Sequence, residues 1–266
     1  MTVIGTDRGS LRRELDDGRN VVIEWGALSD TGHRRERNED SLIATPALFA
    51  VADGMGGHEA GDRASSAIVT GLSHLSEDFT GRQLYDALVS ASREVEEISA
   101  QAHGQSGSTI TGVAFSAEHD DVGWLVFNIG DSRVYAYYDL ALRQITRDHS
   151  VVQDLIDSGQ LAPEDAEIHP ARNSITRAVG FNMDPRPDLW HIGLAWPLRL
   201  LVCSDGLTKE LHDSEIEQVL SEHPGAFEAA RELVTRALEH GGRDNVSVIV
   251  VDTEVETAEN AAEESH

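Results

Sequence analysis

Five aspartates in this chain fall at the ends of short apolar runs. Asp40 follows Asn38-Glu39 at the foot of a strand, Asp53 ends Leu48–Ala52, and Asp131 follows Val122–Gly130. Asp205 follows Leu198–Cys203 within Ser204-Asp205-Gly206, and Asp244 precedes Val246–Val251 within Arg243-Asp244-Asn245. Asp53, Asp131 and Asp205 each have a glycine directly beside them. Carboxylates at strand ends sit on rigid scaffolding, and a neighbouring glycine lets backbone or ligand approach closely. Hard cations such as Mg²⁺ and Mn²⁺ take oxygen ligands, and several carboxylates are what would hold two of them together. Two such ions ~3.5–4 Å apart lower the pKa of a bridging water and neutralise charge on a transferring phosphoryl group. Any one of these aspartates alone reads first as a turn or cap residue, because Asp-Gly is a common turn dipeptide. The repeated placement points to metal chemistry.

The elements that must position these residues follow from periodicity. Val21–Ser29 and Leu48–Ala52 read as strands, separated by a charged loop from His33 to Asp40. Asp53 to Gly61 is turn-rich and expected to be loop. Apolar residues at helical spacing predict helices over 64–75 and 84–98. Thr109–Phe115, Val122–Ile129, Arg133–Tyr138 and Leu142–Ile145 read as four consecutive antiparallel strands. Residues 149–180 are mixed helix and loop, and Leu189–Ile192 and Leu198–Cys203 return to strand. Helices are expected near 213–221 and 225–240, with a last strand at Val246–Val251. Residues 1–20 are polar and expected to be flexible, and the acidic tail 253–266 is expected to be disordered. Strands and helices in this order predict α+β, with antiparallel sheets covered by helices and one domain over 21–252.

Composition narrows the function. Asp and Glu total 47 against 21 Lys and Arg, a net charge of −26, which repels nucleic acid and anionic lipid. The same charge repels phosphorylated substrates, so a phosphatase built on this chain needs local cations. Cys203 is the only cysteine and lies in the apolar run Leu200–Cys203, so neither a disulfide nor a thiolate metal site is available. No apolar run approaches the ~18 residues of a membrane helix. The first twenty residues show no secretory h-region, and a cytoplasmic location is expected.

Several familiar sites are excluded by their missing parts. Asp53–Gly61 lacks the Gly-Lys-Ser/Thr of a P-loop and puts carboxylates where phosphate would sit. Aspartate does not recur at alternate positions as an EF-hand requires. No Gly-x-Ser-x-Gly elbow or His-Glu-x-x-His helix is present.

The ordered series of motifs resembles the metal-dependent protein phosphatase family of the protein phosphatase 2C type, in its bacterial branch. The segments that carry the resemblance begin with Ser29-Asp30-Thr31-Gly32, Arg35-x-x-Asn38-Glu39-Asp40 and Ala52-Asp53-Gly54-Met55-Gly56-Gly57. Gly107-Ser108-Thr109, Gly130-Asp131-Ser132-Arg133 and Asp148-His149-Ser150 follow. His169-Pro170, Ser204-Asp205-Gly206 and Asp244-Asn245 complete a series covering about residues 22–252.

The resemblance implies a four-layer α-β-β-α sandwich with two central antiparallel sheets and metals at one end. It implies that Asp40, Asp53, Asp205 and Asp244 hold two Mn²⁺ or Mg²⁺ ions, with the Gly54 carbonyl as a further ligand and Glu39 acting through metal-bound water. Asp131, with Asp205, would hold a third, weaker ion, and Arg35 would grip the phosphate. The implied reaction is in-line attack of a metal-bridging hydroxide on a phosphoserine or phosphothreonine ester of a phosphorylated protein, releasing inorganic phosphate and opposing a bacterial Ser/Thr kinase. Residues 149–185 correspond to the family's flap beside the active site.

Two departures bear on the reading. Eukaryotic members place a His after the Asp-Gly of the second motif; here the position is Met55, so no general acid is assigned. His58, His33, His149 and His169 carry no assigned role. Some bacterial relatives have a membrane anchor after the catalytic domain, and this chain reads as a soluble form or as a piece ending before such an anchor. The competing reading is a non-catalytic phosphoprotein-binding module on the same fold, which should have lost a core carboxylate; all are present. A narrower alternative is a regulator dedicated to one phosphoprotein.

Overall fold

The computed structural model describes residues 1–56, 60–77, 79–116, 122–194 and 197–256. In chain order the elements begin with β1 (Val3–Gly5), β2 (Arg8–Glu14), β3 (Asn20–Asp30), β4 (Asp40–Thr45) and β5 (Leu48–Gly56). Helices α1 (Ala60–Leu72) and α2 (Gly81–Ala102) follow, then β6 (Ser106–Ser108), β7 (Ile110–Ser116), β8 (Gly123–Ile129), β9 (Arg133–Tyr138) and β10 (Ala141–Gln144). Next come α3 (Val151–Asp157), a 3₁₀ turn at Pro163–Ile168, β11 (Val179–Gly180), β12 (Asp188–Gly193) and β13 (Leu198–Cys203). The chain continues through α4 (Asp205–Thr208), α5 (Asp213–Glu222), α6 (Ala226–His240) and β14 (Val246–Glu256).

Two sheets stack face to face, each with helices on its outer side. The first runs β1-β4-β5-β7-β8-β12, with β6 joining β5 and β11 joining β6; the second runs β10-β9-β13-β14-β3-β2. All pairings are antiparallel except β1 with β4. The apolar runs are continuous because the central strands are covered on both faces. In β5, Phe49 and Val51 enter the inter-sheet core, whereas Leu48, Ala50 and Ala52 face α1 and α2. In β14, Ile249 and Val251 point between the sheets, and Val246, Val248 and Val250 meet α5 and α6. Trp25, Phe49, Trp124 and Phe115 pack in series at centroid distances of 5.5, 6.0 and 5.3 Å through the inter-sheet layer. This is the four-layer α+β sandwich expected from the sequence.

The helices carry local stop and start signals. Thr80 and Gln83 form a reciprocal capping box at the start of α2, and His103 closes the helix in the left-handed region with φ 51°. Among the described residues no helix is long and apolar enough to cross a membrane.

Four expectations need correction. Residues 1–20 are not loose throughout: β1 pairs with β4, and β2 pairs with β3 from Arg8↔Gly26 to Glu14↔Asn20. Charge is compatible with an edge strand, where it discourages further pairing, so polarity misled the reading. The start of the acidic tail, Thr253 to Glu256, extends β14 against Ile23 to Asn20; residues 257–266 lie outside the described residues. Asp53–Gly61 is not wholly loop, because Gly54, Met55 and Gly56 continue β5 by pairing with Ser108, Gly107 and Ser106. Finally, β8 and β9 are consecutive but do not pair. The turn at 130–132 carries the chain from one sheet to the other.

Candidate active site

The strand register places two carboxylates opposite each other. Asp40 opens β4 and is the cross-strand partner of Asp53 in β5. Cβ atoms of such partners lie ~4.5–5.5 Å apart, and like charges directly opposite are destabilising. At ~5 Å and an effective dielectric of ~20 the repulsion is about 3 kcal/mol. Asp40 is fully buried. Its Oδ2 accepts from Ser247 Oγ at 2.6 Å, while its Oδ1 has no hydrogen-bond partner. Burial is the main cause that pushes the Asp40 carboxyl up to about 7, with Asp205 and Asp244 adding to it. Asp53 is raised well above the ordinary range by burial and then by Asp40, Asp205 and Asp131.

Asp205 and Asp244 arrive from the second sheet. Ser204 precedes the single turn α4 that begins at Asp205 and its Oγ accepts from the Ser247 N–H, while Asp244 sits two residues before β14. Gly206 lets the two segments meet: a Cβ there would lie 1.9 Å from the Asn245 carbonyl oxygen. Lys209, one helical turn after Asp205, places Nζ 2.5 Å from Asp205 Oδ2 and 3.0 Å from Asp244 Oδ2. Arg35 approaches Asp244 from the other side, Nε to Oδ1 at 2.9 Å and Nη2 to Oδ2 at 3.1 Å. Burial opposes ionisation of Asp244, but Lys209 and Arg35 outweigh it and hold the carboxyl below its ordinary value. Asp205 Oδ1 is buried without a hydrogen-bond partner.

Asp131 occupies the crossing between the sheets. Burial raises its carboxyl to about 7, aided by Asp205 and Asp148 and opposed by Lys209. The turn is anchored from residues 148–150. Arg133 forks onto Asp148 with Nε–Oδ1 3.0 Å and Nη2–Oδ2 2.8 Å, and the Gly130 N–H donates to His149 Nδ1 at 3.0 Å. Nε2 of the same ring lies 3.1 Å from Asp188 Oδ2 and 2.9 Å from Arg177 Nη1. Arg177 closes the group with Nη1 2.7 Å from Asp188 Oδ1. Ser150 caps α3 by accepting from the Gln153 N–H.

The remaining candidates divide by position. Gly54 sits where no side chain fits, since a Cβ would lie 2.2 Å from the Gly61 carbonyl oxygen and 2.6 Å from that of Glu39. The Glu39 backbone N–H donates to Asn245 Oδ1 at 2.9 Å, and burial raises its carboxyl. Met55 occupies the β5 extension. His169 Nδ1 accepts from the Ala171 N–H, which is a turn role, and the His33 N–H donates to the Gly242 carbonyl. His58 lies outside the described residues. Cys203 is buried and its thiol is pushed up to about 12 by burial, in keeping with a core residue.

Sequence reasoning missed Lys209, which has no distinguishing local context. It also gave Asn245 no role, although its Nδ2 donates to the Thr31 and Arg37 carbonyls and so ties the Arg35 loop to β14. The motif pair Asp244-Asn245 was the available signal.

Among the described residues no three His, Cys, Asp or Glu side chains close into a metal cage. The side-chain oxygens nevertheless suit a hard divalent cation. Asp40 faces Asp53, buried oxygens of Asp40 and Asp205 lack partners, and Asp40, Asp53 and Asp131 are driven toward protonation unless a cation joins them. Lys209 and Arg35 neutralise only the Asp205–Asp244 side of this group.

Comparisons with known proteins bear on the family of the whole chain. The family model "Protein phosphatase 2C" matches residues 26–155. The serine/threonine protein phosphatase PstP of Mycobacterium tuberculosis is 39% identical over 239 residues, covering 87% of this chain and 45% of that protein. This chain therefore spans less than half the length of PstP. The serine/threonine phosphatase stp of Listeria welshimeri is 32% identical over 256 residues, covering 93% of both chains. A crystal structure of the PstP catalytic domain in complex with 2 manganese ions superposes with a TM-score of 0.76 at 34% identity, covering 88% of this chain and 99% of that one. A likeness that runs almost end to end with stp, joined to the two-sheet sandwich, makes this chain a member of the protein phosphatase 2C family.

Proposed function

We propose that this chain is a divalent-metal-dependent phosphatase of phosphoserine and phosphothreonine in proteins, acting against a Ser/Thr kinase that modifies the same substrates. The observation that carries the reading is the cross-strand pairing of Asp40 with Asp53, two carboxylates that repel unless a cation lies between them. In this reading Asp40, Asp53, Asp205, Asp244 and the Gly54 carbonyl hold two Mn²⁺ or Mg²⁺ ions. Glu39 contributes through water, and Asp131 joins Asp205 at a third ion. Bound ions of this kind supply a more acidic water and neutralise phosphoryl charge.

The protein's own task in phosphoryl transfer is positioning and charge stabilisation. Arg35 is half-exposed, and its planar fork, here on Asp244, matches two phosphoryl oxygens as well as it matches a carboxylate. Met55 has no titratable proton, so that position supplies no general acid. The Gly130–Asp131 turn is held from below by His149, which links residues 149–180 to the carboxylate group.

Hydrolysis of a phosphothreonine peptide with EDTA, Mg²⁺ or Mn²⁺, beside an Asp205→Asn variant, tests the proposal. Turnover that requires Mn²⁺ or Mg²⁺ and falls by roughly 10²-fold or more in the variant is expected. A folded protein with no turnover under any metal would overturn it in favour of a phosphoprotein-binding module.

A further inference from the structure

The helices on the outer face of the second sheet stop short of one end. There α5 gives way to α6 through the turn at His223 to Gly225. Beyond this turn, Tyr137, Arg199, Asp252 and Glu24 form one cross-strand row on β9, β13, β14 and β3. Cross-strand partners share a sheet face, so the row is a continuous strip. A cavity of about 700 Å³ opens over it, in the range of ligand-binding pockets. It lies at the opposite end of the strands from Asp131, Asp205 and Asp244: Arg199 is the second residue of β13, whereas Asp205 follows its last.

The floor of the cavity is rigid. Arg199 is buried and forks onto Asp252 at 2.6 and 2.7 Å, and its Nη1 donates to the Leu220 and His223 carbonyls at 2.6 Å. Its Nη2 also reaches the Pro224 carbonyl. Among the described residues Arg199 is the one lining cation, and it is thereby saturated within the protein. The remaining lining charges are Glu24, Asp139 and Glu254, and among the described residues none of them has an ion-pair partner. Tyr137 and Tyr138 supply aromatic wall, with Arg143 stacked over the Tyr138 ring at 4.8 Å.

The rim is conformationally unusual. Asp139 and Leu140 form the two-residue turn between β9 and β10, with φ of 51° and 58°. Two positive φ values in a hairpin turn favour Asn-Gly, and leucine is a poor choice for the second position. Yet Leu140 is 83% exposed, so packing within the chain does not account for its presence at the cavity edge. Strain held at such a position points to function.

We propose that this cavity binds a basic segment of a partner protein that also carries an aliphatic side chain. Lysine or arginine would meet Glu24, Asp139 and Glu254, while the aliphatic group packs against Tyr137 and Leu140. Charge complementarity selects this occupant, because among the described residues an acidic or phosphorylated segment would meet three lining carboxylates without ion-pair partners and a lining cation, Arg199, already saturated.

The test is fluorescence anisotropy of the intact chain with a labelled peptide alternating arginine and leucine, without substrate or metal, so it does not depend on catalysis. The double variant Glu24→Lys/Glu254→Lys is expected to weaken binding by about tenfold or more. A control, Glu94→Lys/Glu97→Lys on the exposed face of α2, makes the same charge change elsewhere and is expected to stay within about twofold. Leu140→Ser, a single change in an exposed turn, is expected to weaken binding about threefold and carries the test if the double variant fails to fold. Equal loss in the two charge-reversed proteins, unchanged binding in folded Glu24→Lys/Glu254→Lys and Leu140→Ser, or equal affinity for an acidic peptide of the same length would each overturn the proposal.

Discussion

Lys209 Nζ lies 2.5 Å from Asp205 Oδ2, which sets an internal cation against a carboxylate assigned to the metals. Burial disfavours the charged ammonium, but Asp205 and Asp244 outweigh burial and raise its pKa. Lys209 is part-exposed, so solvent screens the contact and an effect of about 1 kcal/mol is expected. Lys209→Met keeps the stem and removes the charge. The half-saturating Mn²⁺ concentration, read from tryptophan fluorescence or calorimetry, should fall roughly fivefold. A rise would mean that Lys209 orients the carboxylates and does not compete with metal.

The raised carboxyls predict how metal-free stability depends on pH. Asp40 and Asp131 stand near 7 and Asp53 is raised well above the ordinary carboxylate range, with burial the main cause in each. The folded state therefore binds more protons than the unfolded chain between about pH 4 and 7. Stability from these groups is fully present below the unfolded value and is lost as pH rises through the folded one. In EDTA the melting temperature should fall by several degrees from pH 5 to 8. Mn²⁺ should remove the fall, since bound metal replaces the protons and its affinity climbs with pH. A flat melting profile in EDTA would show that these carboxyls are ionised without metal.

Arg35 makes two contacts to Asp244 and is half-exposed, so its substitution should leave the fold intact. Arg35→Lys keeps the charge but loses the planar fork, and a roughly tenfold loss of kcat/KM is expected; Arg35→Ala should lose more. An unchanged KM for phosphopeptide in both variants, with kcat also unchanged, would remove Arg35 from phosphate binding.

His149 acts at one remove, through the Gly130 N–H that it fixes beside Asp131. His149→Ala should raise the Mn²⁺ concentration needed for activity by roughly tenfold, with turnover largely recovered at saturating metal. Lost turnover at every Mn²⁺ concentration would instead place the imidazole in the chemistry itself.

Much of this arrangement was legible in residue types and order. Glycine beside aspartate at the end of an apolar run identified Asp53, Asp131 and Asp205, because strand ends and close backbone approach are local properties. The α+β class followed from the order of strands and helices, and runs such as Leu48–Ala52 are apolar throughout because the strand is covered on both faces. Local pattern failed at the margins. The charged strand Arg8–Glu14 and the acidic end of β14 form because neighbouring strands offer unpaired N–H and C=O groups, which hydropathy does not register.

Only the tertiary structure decided which aspartates face one another. Asp40 and Asp53 meet through strand register, a pairing 13 residues apart that a one-residue slip would abolish. Asp205 and Asp244 meet because Gly206 admits the Asn245 carbonyl, and Lys209 reaches both because one turn of helix returns its side chain to the same face. The sequence by itself determined the candidate carboxylates, the α+β class and the chemistry such residues suit, all of which depend on residue type and local period. Their mutual distances, the lysine among them and the acidic cavity at the far end arise from packing between segments remote in the chain, for which no local pattern exists.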